Sequence, residues 1–599
     1  MKRMKAVAPA LVALMVLVCG VARGQVLKQV PADAMMVIKF KNLRATSDKL
    51  GALANKFGLA QMNPAASDPL GAFKNSINAN NGLNEAGDAA MVVMPGKSAN
   101  EKPDFVVLLP VSDYKAFLGN YPDATTEGEI SSVKLPNKPD DQPGFAAQWG
   151  EYAALSDTRE LLTKKPAGLT ATGLSAKELD ARDMVVFANM KAVRDQALPK
   201  LQQSRDKIKQ QITRQLNAQN PQNAQKFQGL TNTVIDEVLG LAEQFLQQAQ
   251  GATLGFDFTE DAIHPTGMVE FDPASNWGKT VAQVKSGNAP MFVGLPEAKY
   301  LFLMGMSVDP QSTTKLVEQV VAPIQGELAK LGDEGKAIQN YINAFKSYLA
   351  STSSQSSGLI APTGALGQDS LVQVVSVLNG KSDQILDAQR DMFNTQQALM
   401  DATGTKAQVQ TSYTANAKTV DGVQLNQFTT KFGGAGENPT PQEAQMQQMM
   451  SMMYGPNGMN GYTGAVTPDR AIVAAGVNDE TLTKLIASAK AGETKVGQAE
   501  SLTAVSNQLP KQRMFVMYIP LDNIATTGVS YAKQFGMPIN VQLPENLQPI
   551  GISAGTEGSA FRWDAIIPAG TVQSLVSAGM QAYMNMMQGN QGGAGQGAP

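Results

Sequence analysis

The chain has 599 residues, 43% of them hydrophobic and 17% charged, with a formal net charge of −3, a single histidine and a single cysteine. Such a length suits two domains, each able to bury a sizeable core. One histidine excludes zinc sites built on two or three imidazoles, and a mildly acidic balance without basic runs argues against nucleic acid as a partner.

Lys2, Arg3 and Lys5 precede the unbroken apolar stretch from Ala6 to Val18, and Ala22-Arg23-Gly24 places small residues where a signal peptidase reads. Residues 1–24 are therefore expected to be a cleaved signal peptide, with the mature chain periplasmic or secreted. The apolar run is too short for an ordinary bilayer. Cys19 opens a lipoprotein alternative, although Val18 is large for such a site. Cleavage after Gly24 leaves no thiol and 45 basic against 52 acidic residues, a net charge of about −7. No later segment reaches membrane-spanning length, so a soluble mature chain is expected.

Pro31-Ala-Asp-Ala34 reads as a turn before a strand at 35–40, and Ser47 as the cap of a helix reaching Phe57. Strands follow at 89–94 and 105–109, then a helix at 114–118. Apolar runs without strict alternation predict strands covered on both faces. Residues 195–250 carry the longest helical signal, broken at Asn220-Pro221, which predicts a helical hairpin whose exposed face is rich in Gln. It reads either as the cover of a sheet face or as a projecting partner-binding arm. The second half restarts near Pro290 with strands at 291–295 and 300–306, a helix from Asp309 to Ile324, and further strands at 371–378, 408–415 and 424–431. Helices are expected at 336–349 and 382–401. Ser351 to Gly367 reads as a loop, and Gly589 to Pro599 as a disordered tail.

Three landmarks recur in the same order. Tyr152-Ala-Ala-Leu-Ser-Asp-Thr-Arg-Glu-Leu161 is matched by Val473-Ala-Ala-Gly-Val-Asn-Asp-Glu-Thr-Leu482, with Asp157 and Asn478 in one cap or turn role. Met184-Val-Val-Phe187 is matched by Met514-Phe-Val-Met517. A hairpin at 252–271 turning at Thr259-Glu260 is matched by one at 549–567 turning at Thr556-Glu557. The expectation is α+β: two duplicated modules at 25–288 and 289–588, each an antiparallel or mixed sheet with packed helices. The hairpin at 195–250 enlarges the first, and a Met/Gln/Gly-rich insertion at 433–464 enlarges the second.

Catalytic spacings occur in poor contexts. His264, before Pro265, reads as an ordinary hairpin residue. Gly551-Ile-Ser-Ala-Gly555 has the spacing of a nucleophile elbow, but Ser553 is followed by another strand and the histidine lies far upstream. Ser312-Thr-Thr-Lys315 and Ser131-Ser-Val-Lys134 fit a serine–lysine spacing; helix capping explains Ser312 better. Gly278-Lys279-Thr280 resembles the end of a phosphate loop, yet Pro273 stands where its first glycine belongs. Asp257, Glu260 and Asp261 come nearest to a hard-cation site without fitting a calcium loop, and Asp140-Asp141 reads as a solvated turn. Met446, Met449, Met450 and Met453 share a helical face, as do Met580, Met584 and Met587. Packing, self-association or a deformable partner surface explains them, with monovalent copper on Met446, Met449, Met450 and Met453 as a lesser reading.

Val30-Pro-Ala-Asp-Ala-Met-Met-Val-Ile38 resembles the opening of a loose group of uncharacterised bacterial secreted proteins that begin with a Pro-Ala-Asp turn. The resemblance covers about ten residues and implies repeated strand–helix units and extracytoplasmic residence, with no activity or site residue to carry over. The sequence thus points to an exported, non-enzymatic binding or assembly protein without cofactor, its ligand a protein or small molecule. A hydrolase using carboxylates or a Ser–Lys pair, and Met-based copper handling, are the alternatives.

Overall fold

The computed structural model describes residues 26–96, 103–134, 143–163, 165–219, 226–287, 290–362, 370–403, 409–432, 441–455, 458–534 and 544–592. The expected signal peptide, Asp140-Asp141 and the end of the C-terminal tail lie outside the described residues. The chain is α+β and divides into two compact units: residues 1–200 with 246–272, and residues 201–245 with 273–599.

Among its described residues the first unit holds ten strands: β1 (Met36–Phe40), β2 (Ala89–Met94), β3 (Asp104–Pro110), β4 (Thr125–Glu127), β5 (Ile130–Val133), β6 (Gly144–Trp149), β7 (Tyr152–Ser156), β8 (Met184–Asn189), β9 (Ala249–Phe258) and β10 (Ala262–Phe271). Every pairing is antiparallel, in the order β10-β9-β8-β1-β2-β3-β7-β6-β5-β4. Helices between these strands include α1 (Leu43–Lys56), α2 (Pro69–Ser76), α3 (Tyr114–Leu118) and α4 (Gly173–Ala181). Helix α5 (Met190–Gln219) and helix α6 (Gln228–Gln248) follow β8.

The first strand sits mid-sheet, flanked by β2 and β8, so both of its faces require cover. On one face Val37, Val92, Val106, Leu108, Ala154, Val185 and Phe187 form a core with Trp149, Leu179 and the N-terminal Val26 and Val30. On the other, Ala89, Leu109, Ala153 and Leu155 pack with Phe117 and Tyr121. Lys39 belongs to the first face by its register with Ala90 and is only 2% exposed. Its ammonium lies 2.9 Å from Asp88 and donates to the Leu179 carbonyl at 2.9 Å, which compensates the loss of water around the charge. Glu270, from β10, is also buried and accepts from the backbone N–H groups of Leu174 and Ser175, closing the start of α4, where a carboxylate complements the helix dipole.

The second unit's strands are β11 (Tyr300–Ser307), β12 (Thr352–Ile360), β13 (Gln373–Gly380), β14 (Val409–Val420), β15 (Val423–Phe432), β16 (Met459–Thr467), β17 (Arg470–Ala475), β18 (Phe515–Ile519), β19 (Ile550–Glu557) and β20 (Ala560–Pro568). They pair antiparallel in the order β20-β19-β18-β11-β12-β13-β17-β16-β15-β14. The helices in and around them include α7 (Asn276–Gln283), α8 (Pro310–Val321), α9 (Asp333–Ser351), α10 (Ser382–Thr403), α11 (Pro441–Tyr454), α12 (Asp479–Ala491), α13 (Glu500–Ser506), α14 (Leu521–Gln534) and α15 (Ala569–Gly592).

Several expectations change. Ser351 to Gly367 is not a loop in its first part: it contains β12, a central strand, which serine's weak preference for extended structure had concealed. Conversely, 291–295 forms no strand, because Phe292 and Gly294 take positive φ values of 65° and 80°. Helix α1 is capped by Asn42 rather than Ser47; Ser47 lies within the helix and accepts from the Leu70 N–H. The strands β4, β5 and β6, at 125–149, were not anticipated at all.

Asn478 caps α12 by accepting from the Thr481 N–H, whereas near Asp157 only a single 3-10 turn follows, with Thr158 at its cap position. The hairpin at 259–261 turns where expected; the later one turns at 558–559, because Thr556 and Glu557 are still paired with Phe561 and Ala560. The helical hairpin survives as α5 and α6, with Asn220-Pro221 outside the described residues and Arg205 bonded to Glu243.

Replacing Lys39 by alanine leaves Asp88 without its cation in a largely buried setting. Urea unfolding should show a loss on the order of 3–5 kcal/mol. Lys41→Ala, at a partly exposed position, should cost under about 1 kcal/mol.

Candidate functional site

The segment joining β1 to β2 folds back over one face of the first sheet as α1 and α2, and a half-enclosed cavity of about 310 Å³ lies beneath it. Its lining comprises Phe40, Leu43, Thr46, Ser47, Leu50, Pro69, Leu70, Phe73, Ala89, Ala90, Met91, Val107 and Leu109. Phe40, Leu43, Leu50, Phe73, Met91 and Val107 are each only partly buried. The two hydroxyls are committed elsewhere: Thr46 donates to the Lys41 carbonyl at 2.5 Å, and Ser47 accepts from the Leu70 N–H at 2.9 Å. No charged group lines the cavity. An apolar cavity of about 150 Å³ already takes up benzene, so this one has room for a larger hydrocarbon. It offers no nucleophile, acid or base.

In the second unit the segment from β11 to β12 includes α8 and α9, and a cavity of about 340 Å³ lies where α9 and α10 meet the sheet. Its character differs: Tyr341, Tyr348, Gln355, Ser376, Gln389 and Gln396 mix with Met392, Phe393, Phe428, Leu378 and Val473. A third cavity, about 280 Å³, is lined by Arg513, Ser553, Glu557, Arg562 and Asp564 among others. Its polar groups are already engaged: Arg562 donates to both oxygens of Asp564 and lies 3.5 Å from Glu557, and Arg513 donates to the hydroxyl of Ser506.

Several of the residues singled out in the sequence have a clear structural place. Ser553 lies within β19, which turns directly into β20, so the strand-to-helix geometry of a nucleophile elbow is absent there. Asp309, not Ser312, is the cap of α8; its carboxylate accepts from both the N–H and the hydroxyl of Ser312. Ser131 sits on β5 with its hydroxyl 2.9 Å from that of Thr126, and a strand cannot place Lys134 one helical turn away. Gly278 donates its N–H to Ser275, the cap of α7. Asp257 holds Arg182 and accepts from the Asp183 N–H.

Among the described residues, no three histidine, cysteine, aspartate or glutamate side chains converge as a metal-ligand group. On α11, Met449 is exposed while Met450 and Met453 are partly buried; the side chain of Met446 lies outside the described residues. The two large cavities escaped sequence reasoning because each is assembled from segments far apart in the chain.

No family model and no curated protein matches the chain. It is similar in part to crystal form III of TP0453, at 8% identity over 48% of this chain and 96% of that one, with a TM-score of 0.18. Crystal form I of TP0453 gives 8% identity, 49% and 98% coverage and a TM-score of 0.19. Likeness at that level carries neither fold nor function across. Among the described residues no helix is long and apolar enough to cross a membrane.

His264 is half-buried on β10, opposite Asp257 in register. Burial lowers its pKa from the ordinary value; the Asp257 carboxylate opposes that and the Arg182 guanidinium adds to it. The unfolded imidazole, near its ordinary value of about 6.5, therefore binds a proton more readily than the folded one. Its contribution to stability is present above that value and lost as the pH falls below it. Thermal melts between pH 7.5 and 5.5 should show a steeper acid loss for the wild-type chain than for His264→Gln; parallel profiles would exclude the histidine as the cause.

Proposed function

We propose that the protein is an exported, non-enzymatic binding protein, built by duplication of one ten-stranded α+β module, whose first unit takes up an apolar ligand of about the girth of a single hydrocarbon chain. The observation that carries this reading is the cavity under α1 and α2: thirteen lining residues, no charge, and both hydroxyls already bonded to the backbone. Binding sites of this kind derive affinity from removing apolar ligand surface from water. A hydrolytic reading finds less support. Ser312, the best placed serine, is engaged by its cap residue, and the cavity beside Ser553 is lined by Arg562 already paired with Asp564 and by Arg513 bonded to Ser506.

The duplication is supported by the strand orders. Adding ten to each strand number of the first unit reproduces the order of the second across all ten positions. The recurring sequence landmarks fall on corresponding strands: β7 with β17, β8 with β18, and the β9–β10 hairpin with β19–β20. Export rests on Lys2, Arg3, Lys5 and the apolar run that follows.

Dodecanol and dodecanoate serve as probes, read by displacement of a fluorescent apolar dye from the full chain. Ala89→Phe fills the cavity floor and should weaken binding at least about tenfold with a retained cooperative melt. Leu50→Trp fills it from the helix side and covers the case in which the first variant fails to fold. Unchanged affinity in a folded variant, or no binding by the wild type, overturns the proposal.

A further inference from the structure

Strand β12 reads Thr352-Ser-Ser-Gln-Ser-Ser-Gly-Leu-Ile360 and runs between β11 and β13, a position where apolar residues are the rule. The alternation of a strand divides these polar groups between two faces. Ser354 accepts from Asn379, and Ser356 accepts from the Phe292 N–H, on one side. Gln355 and Ser357 lie on the other, with Ser376 of β13 directly opposite Ser357.

These groups form one chain of hydrogen bonds. Tyr348 of α9 donates to Gln355 Oε1 at 3.1 Å, Gln355 Nε2 donates to Ser357 at 2.9 Å, and Ser357 and Ser376 share a bond of 2.8 Å. Gln355 and Ser376 line the 340 Å³ cavity as its floor. Placing such a network in a sheet interior costs free energy relative to valine or leucine unless the groups serve something else. In the first unit, β2 provides Ala89-Ala-Met-Val-Val-Met94 at the same step of the strand order.

The walls complete the pattern. Phe393 stacks on Phe428 with ring centroids 4.9 Å apart and on Tyr413 at 5.9 Å, giving one side an aromatic surface. Gln389 is held on one edge, its Oε1 2.6 Å from the Thr463 hydroxyl, while its Nε2 has no hydrogen-bond partner among the described residues. Gln396 and the Tyr341 hydroxyl, which also line the cavity, likewise have none among the described residues. No lining residue is charged. Burial raises the pKa of Tyr348 to about 12, so its hydroxyl remains a donor at neutral pH.

A hydrocarbon would leave these amides and hydroxyls unpaired, and an ion would meet no counter-charge. The fitting ligand is uncharged, has an apolar face for the aromatic rings, and carries several small groups that both donate and accept. A pyranose ring meets all three conditions: its C–H face packs on aromatic surface, and its hydroxyls match glutamine amides, each of which offers donor and acceptor edges. We propose that the cavity between α9, α10 and the β12–β13–β17 region binds a neutral saccharide of one or two rings. This site is independent of the apolar cavity in the first unit.

The test uses the full chain, titrated by calorimetry with glucose, galactose, N-acetylglucosamine, maltose and cellobiose, and with adenosine as an uncharged planar contrast. At least one saccharide should bind with a stoichiometry of one, in the millimolar range or tighter. Gln389→Leu and Phe393→Ala should each weaken it by about tenfold or more, while Ala89→Phe leaves it unchanged. Gln389→Leu retains the side-chain volume and covers the case in which Phe393→Ala unfolds. Absence of saturable binding by any saccharide, tighter binding of adenosine than of all five, or an affinity indifferent to folded cavity variants overturns the proposal. Dodecanol binding, measured in parallel, should not respond to Gln389→Leu, so failure of one site is distinguishable from failure of the other.

Discussion

Both sheets are organised by one constraint: the first strand of each lies between the second and the eighth. Closing β1 against β8 joins Val37 to Phe187, and closing β11 against β18 joins Leu303 to Tyr518, so each sheet centre depends on contacts between residues distant in the chain. Loop closure of that length is entropically costly and topologically slow, and only a large buried area offsets it. The same placement puts the middle strands in the interior on both faces. Something must cover them, and the segments leaving β1 and β11 are the ones that return over the sheet.

Cover and cavity are therefore two aspects of one arrangement. Helices α1 and α2 cannot fill the space above Ala89 and Met91 completely, because Phe40, Leu43 and Phe73 meet there with small residues beneath. Helices α9 and α10 leave a comparable space above Gln355 and Ser376. What differs is the chemistry of the floor: methyls and thioether in one, amide and hydroxyl in the other. The architecture supplies a recess, and β2 in one sheet and β12 in the other decide what can enter it.

Much of this was legible in the sequence, and the failures are instructive. Strands rich in Val and Met, such as β2 and β8, and the Asn478 cap follow from local patterns that burial reinforces. Strand β12 was missed for a physical reason: Ser-Ser-Gln-Ser-Ser competes with the backbone for hydrogen bonds and normally marks a loop, and only the partners supplied by Asn379, Ser376 and Tyr348 let it stand inside a sheet. Ser312 and Ser553 fitted catalytic spacings, but spacing says nothing of orientation. One donates its hydroxyl to Asp309, and the other lies within a strand. Neither cavity was visible, since each gathers residues from helices and strands separated by tens of positions.

The serine-rich strand has one further consequence. Two sheets threaded in the same order within one chain risk exchanging strands while folding, as repeated domains are prone to do. A strand carrying Gln355 and Ser357 cannot replace Ala89–Met94, because it would set an amide and a hydroxyl among Phe40, Leu109 and Leu155 with no Tyr348 or Ser376 to receive them. Nor can Ala89–Met94 replace β12 without stripping Asn379 and the Phe292 N–H of their partners. The polar centre of one sheet and the apolar centre of the other thus act as mutually exclusive keys, keeping each strand with its own sheet.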